Sequence, residues 1–130
     1  MRLLLDTHVV LWAAADPERL GPSLSLVAEA EQRLVSAAST WELAIKANLG
    51  KIELGMDVRS WVARALRALR AESLVITGDH AAAVEHLPPL HRDPFDRMLV
   101  AQATFEGVVL LTSDDVLTGY GDVVRLVSIE

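Results

Sequence analysis

Four acidic residues stand at positions where they could act together. Asp6 directly follows the apolar run RLLL (2–5), and Glu42 lies in STWELAIK (39–46). Asp96 lies in HRDPFDRMLVAQA (91–103), and Asp114 comes two residues after VVLLT (108–112). Carboxylates gathered in one cleft repel each other, and the usual remedy is a bound divalent cation. Oxygen-only ligands select a hard ion, Mg²⁺ or Mn²⁺, over zinc. Such a site can activate a water and stabilise charge on a phosphodiester as it is cleaved, with one or two metals.

Whether the four meet depends on the elements that carry them. RLLL reads as a strand and THVVLWAAA (7–15) as a helix; PERLGPSL (17–24), with two prolines and a glycine, reads as a turn. A helix to about residue 32 follows, then a strand RLVSA (33–37) and a helix over 39–50 with Trp41, Ala44, Ile45, Asn48 and Leu49 at helical spacing. DVRSWVARALRALRA (57–71) is an amphipathic helix carrying Val58, Trp61, Val62, Ala65, Leu66 and Leu69 on one side. SLVIT (73–77) is a strand, DHAAAVEHL a short helix and PPLHRDP (88–94) a loop. A helix over 94–107 ends at glycine, VVLLT is a strand, and after a turn around Gly119 and Gly121 a last strand VVRLVSI (123–129) follows. Strands that alternate with helices and read as continuous apolar runs predict a parallel sheet covered on both faces, an α/β/α sandwich of three layers. In such folds strand C-termini and the following helix N-termini share the edge where ligands bind. All four acids fall at that edge.

Each acid also has an ordinary explanation. Ser39-Thr40-Trp41-Glu42 matches a capping box, with Ser39 as N-cap and Glu42 in the first turn. Asp93-Pro94 reads as an N-cap followed by proline at N1, which puts Asp96 at N3, where a negative charge suits the helix dipole. Asp6 and Asp114 could each be turn or cap residues after a strand. Singly, capping explains every one of them; jointly, it leaves their common edge unexplained. Asp96 shares a helical face with Leu99, Val100 and Ala103, which aims its carboxylate along the sheet edge toward Asp6.

Composition narrows the remaining choices. At 130 residues the chain suits one domain, and its 52% hydrophobic content supplies a core of mostly Leu, Val, Ile and Ala, since aromatics are only 5%. The absence of cysteine excludes disulfides, thiolate metal sites and thiol nucleophiles. Asp6 and His8 interrupt the N-terminal apolar stretch too early for a signal peptide, and no apolar run reaches the roughly 18 residues of a membrane span, so the cytoplasm is the expected location. A net charge of −6 has the wrong sign for an ordinary nucleic-acid binder. Bound cations would invert the field locally.

LLLDTHVVLW, STWELAIK, HRDPFDRMLVAQA and LLTSDD, in this order and over essentially the whole chain, resemble the PIN-domain ribonucleases of the VapC toxin type. The resemblance implies a single PIN domain over residues 1–130, whose acidic quartet binds Mg²⁺ or Mn²⁺ and cleaves single-stranded regions of RNA. It also implies a VapB-type antitoxin that covers the site, and a homodimer. The quartet maps onto Asp6, Glu42, Asp96 and Asp114, with Asp6 as central ligand, Asp96 beside it, and the other two completing the set directly or through water. Asp115 is the alternative to Asp114. Where many relatives carry Asn two residues after the first Asp, this chain has His8; Thr112 and Ser113 fit the small hydroxyl positions beside the fourth acid.

Lys46, Arg92 and Arg97 lie near the predicted site and are candidates for contacting substrate phosphate. Arg59, Arg64, Arg67 and Arg70 form either a solvated face or a basic stripe for RNA or an acidic stretch of the antitoxin. His91 is a possible general acid, though a loop histidine is more often just exposed. Trp12, Trp41 and Trp61 are expected in the core or an interface. The competing reading is a PIN-like binding module with weak or no catalysis, which the complete quartet disfavours. A receiver-type phosphoacceptor would want paired acids after the first strand and a lysine after the last ones, and neither is present.

Overall fold

The computed structural model describes residues 1–127. Five strands, β1 (Arg2–Leu5), β2 (Gln32–Ser36), β3 (Glu72–Leu74), β4 (Val109–Thr112) and β5 (Val124–Leu126), form one sheet in the order β3-β2-β1-β4-β5. Every pairing is parallel, with Leu5 level with Val35 on one side and Leu111 on the other. The helices are α1 (Thr7–Ala15), α2 (Ser23–Ala28), α3 (Ala37–Asn48), α4 (Val58–Leu69), α5 (Gly78–Ala83) and α6 (Pro94–Glu106).

Alternate residues of β1 feed two cores. Leu3 and Leu5 pack with Val9, Val10 and Ala13 of α1, Val27 of α2 and Ala65 of α4. Leu4 points the other way and packs with Ala38 of α3 and with Leu99, Val100 and Ala103 of α6. A strand buried on both faces needs apolar residues at every position, which is why the strands read as continuous runs. All three leucines are fully buried, and each contributes roughly 1.5–3 kcal/mol of transfer free energy. The expected three-layer α/β/α sandwich with a central parallel sheet is the observed architecture. Among the described residues, no helix is long and apolar enough to cross a membrane.

Several boundaries depart from the sequence reading, each for a local reason. Helix α3 begins at Ala37, because Ser36 rather than Ser39 is its N-cap and accepts from the Ala38 N–H at 2.9 Å. Glu42 therefore lies in the second turn and caps nothing, so the S-x-x-E capping box is not formed. Helix α2 stops at Ala28 instead of near 32: the Arg33 guanidinium reaches back from β2 and donates to the carbonyls of Val27, Ala28 and Ala30. Strand β3 ends at Leu74, and Thr77 caps α5 in a box closed by His80. Short 3₁₀ helices occupy Pro17–Leu20 and Asp115–Tyr120, where turns were expected. The last strand covers 124–126 of the expected 123–129; residues 128 and 129 lie outside the described residues.

Of the three tryptophans expected in the core or an interface, Trp41 is not in the core: it is 60% exposed, in a T-shaped contact with Phe95, because the buried side of α3 is Ala38, Ser39, Glu42 and Leu43. Trp12 and Trp61 do pack against the first core, as expected.

Candidate active site at the carboxyl edge of the sheet

The chain leaves β1 toward β2 on one side and returns as β4 on the other, so strand order reverses between β1 and β4. A crevice at the carboxyl ends of the strands follows from that reversal. Asp6 sits at its floor, 4% exposed, with its backbone N–H donating to the Leu111 carbonyl at 3.0 Å. It caps α1, since Oδ1 accepts from the Val9 N–H at 3.1 Å, and Oδ2 accepts a short hydrogen bond from the Thr112 hydroxyl. The Thr112 oxygen in turn accepts from the Asp114 N–H at 3.0 Å. One threonine at the end of β4 thus ties the acid after β1 to the acid after β4.

Glu42 arrives from α3, which packs across α1. Its Oε1 accepts from the Thr7 hydroxyl at 2.7 Å and its Oε2 pairs with Lys46 Nζ at 2.9 Å, one helical turn on. Asp96 arrives from the first turn of α6. Asp93 caps that helix, accepting from the N–H groups of Phe95 (2.8 Å) and Asp96 (3.3 Å), with Pro94 at N1 as the sequence predicts. Asp6, Glu42, Asp93, Asp96, Asp114 and Asp115 line one cleft of about 400 Å³, faced by His8 and Lys46.

So many like charges leave a mark. Burial, above all, raises the Asp6 carboxyl above its ordinary value, and the nearby charge of Glu42 adds to the rise. Asp96 is pushed up to about 7, first by burial and then by the charges of Asp93 and Asp6. A carboxyl raised by burial and by like charges in a cleft is a candidate for function with a physical cause. Among the described residues, one close-set group of three possible ligands joins two of these acids to a histidine. Ligand atoms of His91, Asp96 and Asp114 all lie within 4.8 Å of one another. His91 Nε2 is 2.8 Å from Asp114 Oδ2 and 3.4 Å from Asp96 Oδ2.

The structure sorts the remaining expected residues. Lys46 lines the cleft, whereas Arg92 is exposed outside it. Arg97 is not among the residues that line the cleft, and it braces the 88–93 loop. Its guanidinium donates to the Pro88 carbonyl at 3.1 Å and the Tyr120 hydroxyl at 3.3 Å. Asp114 joins the His91 group, while Asp115 is exposed at the rim. Arg59, Arg64 and Arg67 of α4 and Arg70 at its C-cap are all exposed, and none lines the cleft. His91, which the sequence offered as a possible general acid or an exposed loop residue, is only 18% exposed in its side chain. One participant was not legible beforehand: Thr7 is the partner of Glu42. Nothing in the local spacing around Thr7 hints at that contact, which spans 35 residues.

Comparison with known proteins places the fold and the sequence. A family model for the PIN domain matches residues 3–122. Ribonuclease VapC22 of Mycobacterium tuberculosis (strain ATCC 25618 / H37Rv) is 37% identical over 114 residues, 86% of this chain and 86% of that protein. A chain in the crystal structure of VapBC2 from Rickettsia felis bound to a DNA fragment from their promoter has the same fold. It superposes with a TM-score of 0.70 at 18% identity, covering 97% of both chains. With the family model spanning most of its length and a VapC ribonuclease sharing more than a third of its aligned residues, this chain belongs to the PIN-domain family, in its VapC branch.

Proposed function

We propose that this chain acts as a single PIN domain and is an Mg²⁺- or Mn²⁺-dependent endoribonuclease toxin, neutralised by a cognate VapB-type antitoxin. In this reading it works in the cytoplasm as a homodimer on RNA. The observation that carries the proposal is the cleft itself, lined by six carboxylates, where burial and then the charges of Asp93, Asp6 and Glu42 push the Asp96 carboxyl up to about 7. A site that disfavours its own anions this strongly fits a divalent cation, and an all-oxygen donor set fits a hard one. The nuclease class comes from the likeness to Ribonuclease VapC22, and the antitoxin from the VapBC2 complex of the structural relative.

Asp6, Glu42, Asp96 and Asp114 are the residues that would hold the ion, with Asp114 preferred over Asp115. A divalent cation held there would lower the pKa of a bound water, so that hydroxide is available as a nucleophile, and would offset negative charge on the phosphodiester. The chain's own groups do the rest. Thr112 fixes the orientation of Asp6, and Thr7 with Lys46 fixes that of Glu42. Lys46 also brings an ammonium to the cleft and can meet a substrate phosphate as a point charge.

The test is cleavage of a structured RNA containing single-stranded loops by the purified chain with Mn²⁺. Cleavage should stop on chelation and in Asp6→Asn, and growth arrest on expression should disappear in the same variant. Should no Asp6-dependent cleavage be seen, the chain is a binding module on a PIN scaffold and the enzyme reading is wrong.

A further inference from the structure

We propose that His91 is a positioning residue: with its tautomer fixed by the backbone, it donates from Nε2 to Asp114 and holds the fourth acid of the cluster without itself ligating metal. This rests on the metal-site reading above and adds a residue to it.

The distances alone would allow the opposite. Neighbouring ligands on an octahedral ion with bonds of about 2.1 Å stand about 3 Å apart. The 2.8 Å and 3.4 Å from Nε2 to the oxygens of Asp114 and Asp96 bracket that value. The other ring nitrogen decides between the two roles. Nδ1 accepts a hydrogen bond from the Asp93 backbone N–H at 3.0 Å. A nitrogen that accepts cannot carry a proton, so the ring's N–H is on Nε2, directed at the two carboxylates. A ligating histidine has the reverse arrangement, a lone pair toward the ion and an N–H donated to an outer acceptor. His91 offers a donor where a ligand must offer a lone pair.

The loop that carries the ring is fastened so as to keep it there. The Tyr120 hydroxyl donates to the Pro88 carbonyl at 3.0 Å, and Arg97 bonds that carbonyl, the His91 carbonyl and the Tyr120 oxygen. Leu90 packs so closely on Gly119 that a Cβ there would stand 3.1 Å from its methyl. These contacts bind the loop to the 3₁₀ helix that starts just after Asp114. That acid is thereby held from both sides, with Oδ1 accepting from the Val116 N–H at 3.0 Å and Oδ2 facing His91 at 2.8 Å. One consequence concerns the ion. With His91 presenting N–H, the site keeps an all-oxygen set and its preference for hard cations.

The experiment uses the full chain, its His91→Leu and His91→Gln variants, and Mn²⁺ as the probe. Calorimetric titration should show Mn²⁺ affinity about 10- to 100-fold weaker in His91→Leu, the range found when a partner of a metal ligand is removed. His91→Gln keeps an N–H donor at the same reach and should recover most of that loss. Pulsed electron paramagnetic resonance of Mn²⁺ bound to the unsubstituted chain should show no directly coordinated nitrogen. In the metal-free protein, ¹⁵N NMR should find the imidazole proton on Nε2. A directly coupled nitrogen that vanishes in both variants would make His91 a ligand and overturn the proposal. So would undiminished Mn²⁺ affinity in His91→Leu, or a proton on Nδ1. If His91→Leu fails to fold, His91→Gln and the nitrogen coupling still decide. Absence of any Mn²⁺ binding by the unsubstituted chain would refute the metal-site reading and this role with it, whereas the tautomer tests His91 separately.

Discussion

Helix α6 carries two polar clusters, one at each end, and they are built on opposite principles. Toward its C-terminal half, Gln102 is fully buried and donates to the Val75 carbonyl while accepting from the Ser36 hydroxyl. His80, equally buried, accepts from the Thr77 N–H and meets Glu106 at 2.8 Å. Donors and acceptors are matched, and one carboxylate faces one imidazole. At the N-terminal end, six carboxylates face one cleft with one lysine, the imidazoles of His8 and His91, and a few hydroxyl and backbone donors between them. Both clusters join elements distant in sequence. The first is complete as it stands, while the second is short of positive charge. A polar cluster therefore points to function through its unbalanced charge rather than through its burial.

The sharpest way to break this contrast is to substitute one acid and one amide. Asp6→Asn should lower RNA cleavage roughly a thousandfold, equivalent to the several kcal/mol contributed by a bound cation, with the circular dichroism spectrum unchanged. If cleavage persists, the cleft is not the active site. Gln102→Leu should do the reverse. Leaving the Ser36 hydroxyl and the Val75 carbonyl short of a partner should destabilise the chain by about 1–3 kcal/mol in a denaturant titration, with cleavage per folded molecule retained.

A third prediction uses pH. The Asp96 carboxyl keeps its proton to about pH 7 in the folded chain but loses it near 3.8 when unfolded. Its raised value means that its contribution to stability is fully present below the unfolded value and is lost as pH rises through about 7. Asp96→Asn should therefore raise the melting temperature of the metal-free protein by several degrees at about pH 8 while abolishing cleavage. Near the unfolded value the two proteins should melt alike. A lower melting temperature for Asp96→Asn at the higher pH would contradict the charge imbalance. The smallest effect belongs to Asp93→Asn. Asn caps a helix about as well as Asp, so stability should move by no more than a few tenths of a kcal/mol, and cleavage should persist. Loss of cleavage there but not in Asp96→Asn would reverse the two roles.

Much of this was legible in the sequence because it is written locally. Continuous apolar runs mark the parallel strands, Asp93-Pro94 marks the start of α6, and Gly107, at φ +68, marks its end. The four acids could be placed at one edge from strand ends alone. What was not legible depends on contacts across the chain. Ser39 and Glu42 imitate a capping box, but the helix starts three residues earlier on Ser36, and Glu42 is free to turn into the cleft. Trp41 sits in an apolar pattern whose face the fold leaves exposed. Asp114 and Asp115 are adjacent and chemically identical; the bond from the Asp114 N–H to Thr112 and the imidazole of His91 separate them. Arg97 looked like a phosphate ligand because its loop acceptors, Pro88 and Tyr120, cannot be seen from its own position in the chain.

The strand order has a consequence for when activity can arise. β1 is made first and lies at the centre of the sheet, yet its neighbour β4 comes more than a hundred residues later, and the Thr112–Asp6 bond spans a separation of 106. Until β4 docks, Asp6 lacks both the hydroxyl that orients it and the segment that brings Asp114. Pairings so distant in sequence form late, because loop closure must come before their contacts can be made. The acidic cleft is therefore among the last parts of the fold to be completed: it forms only when β4 has docked beside β1 and brought Thr112 and Asp114 to Asp6.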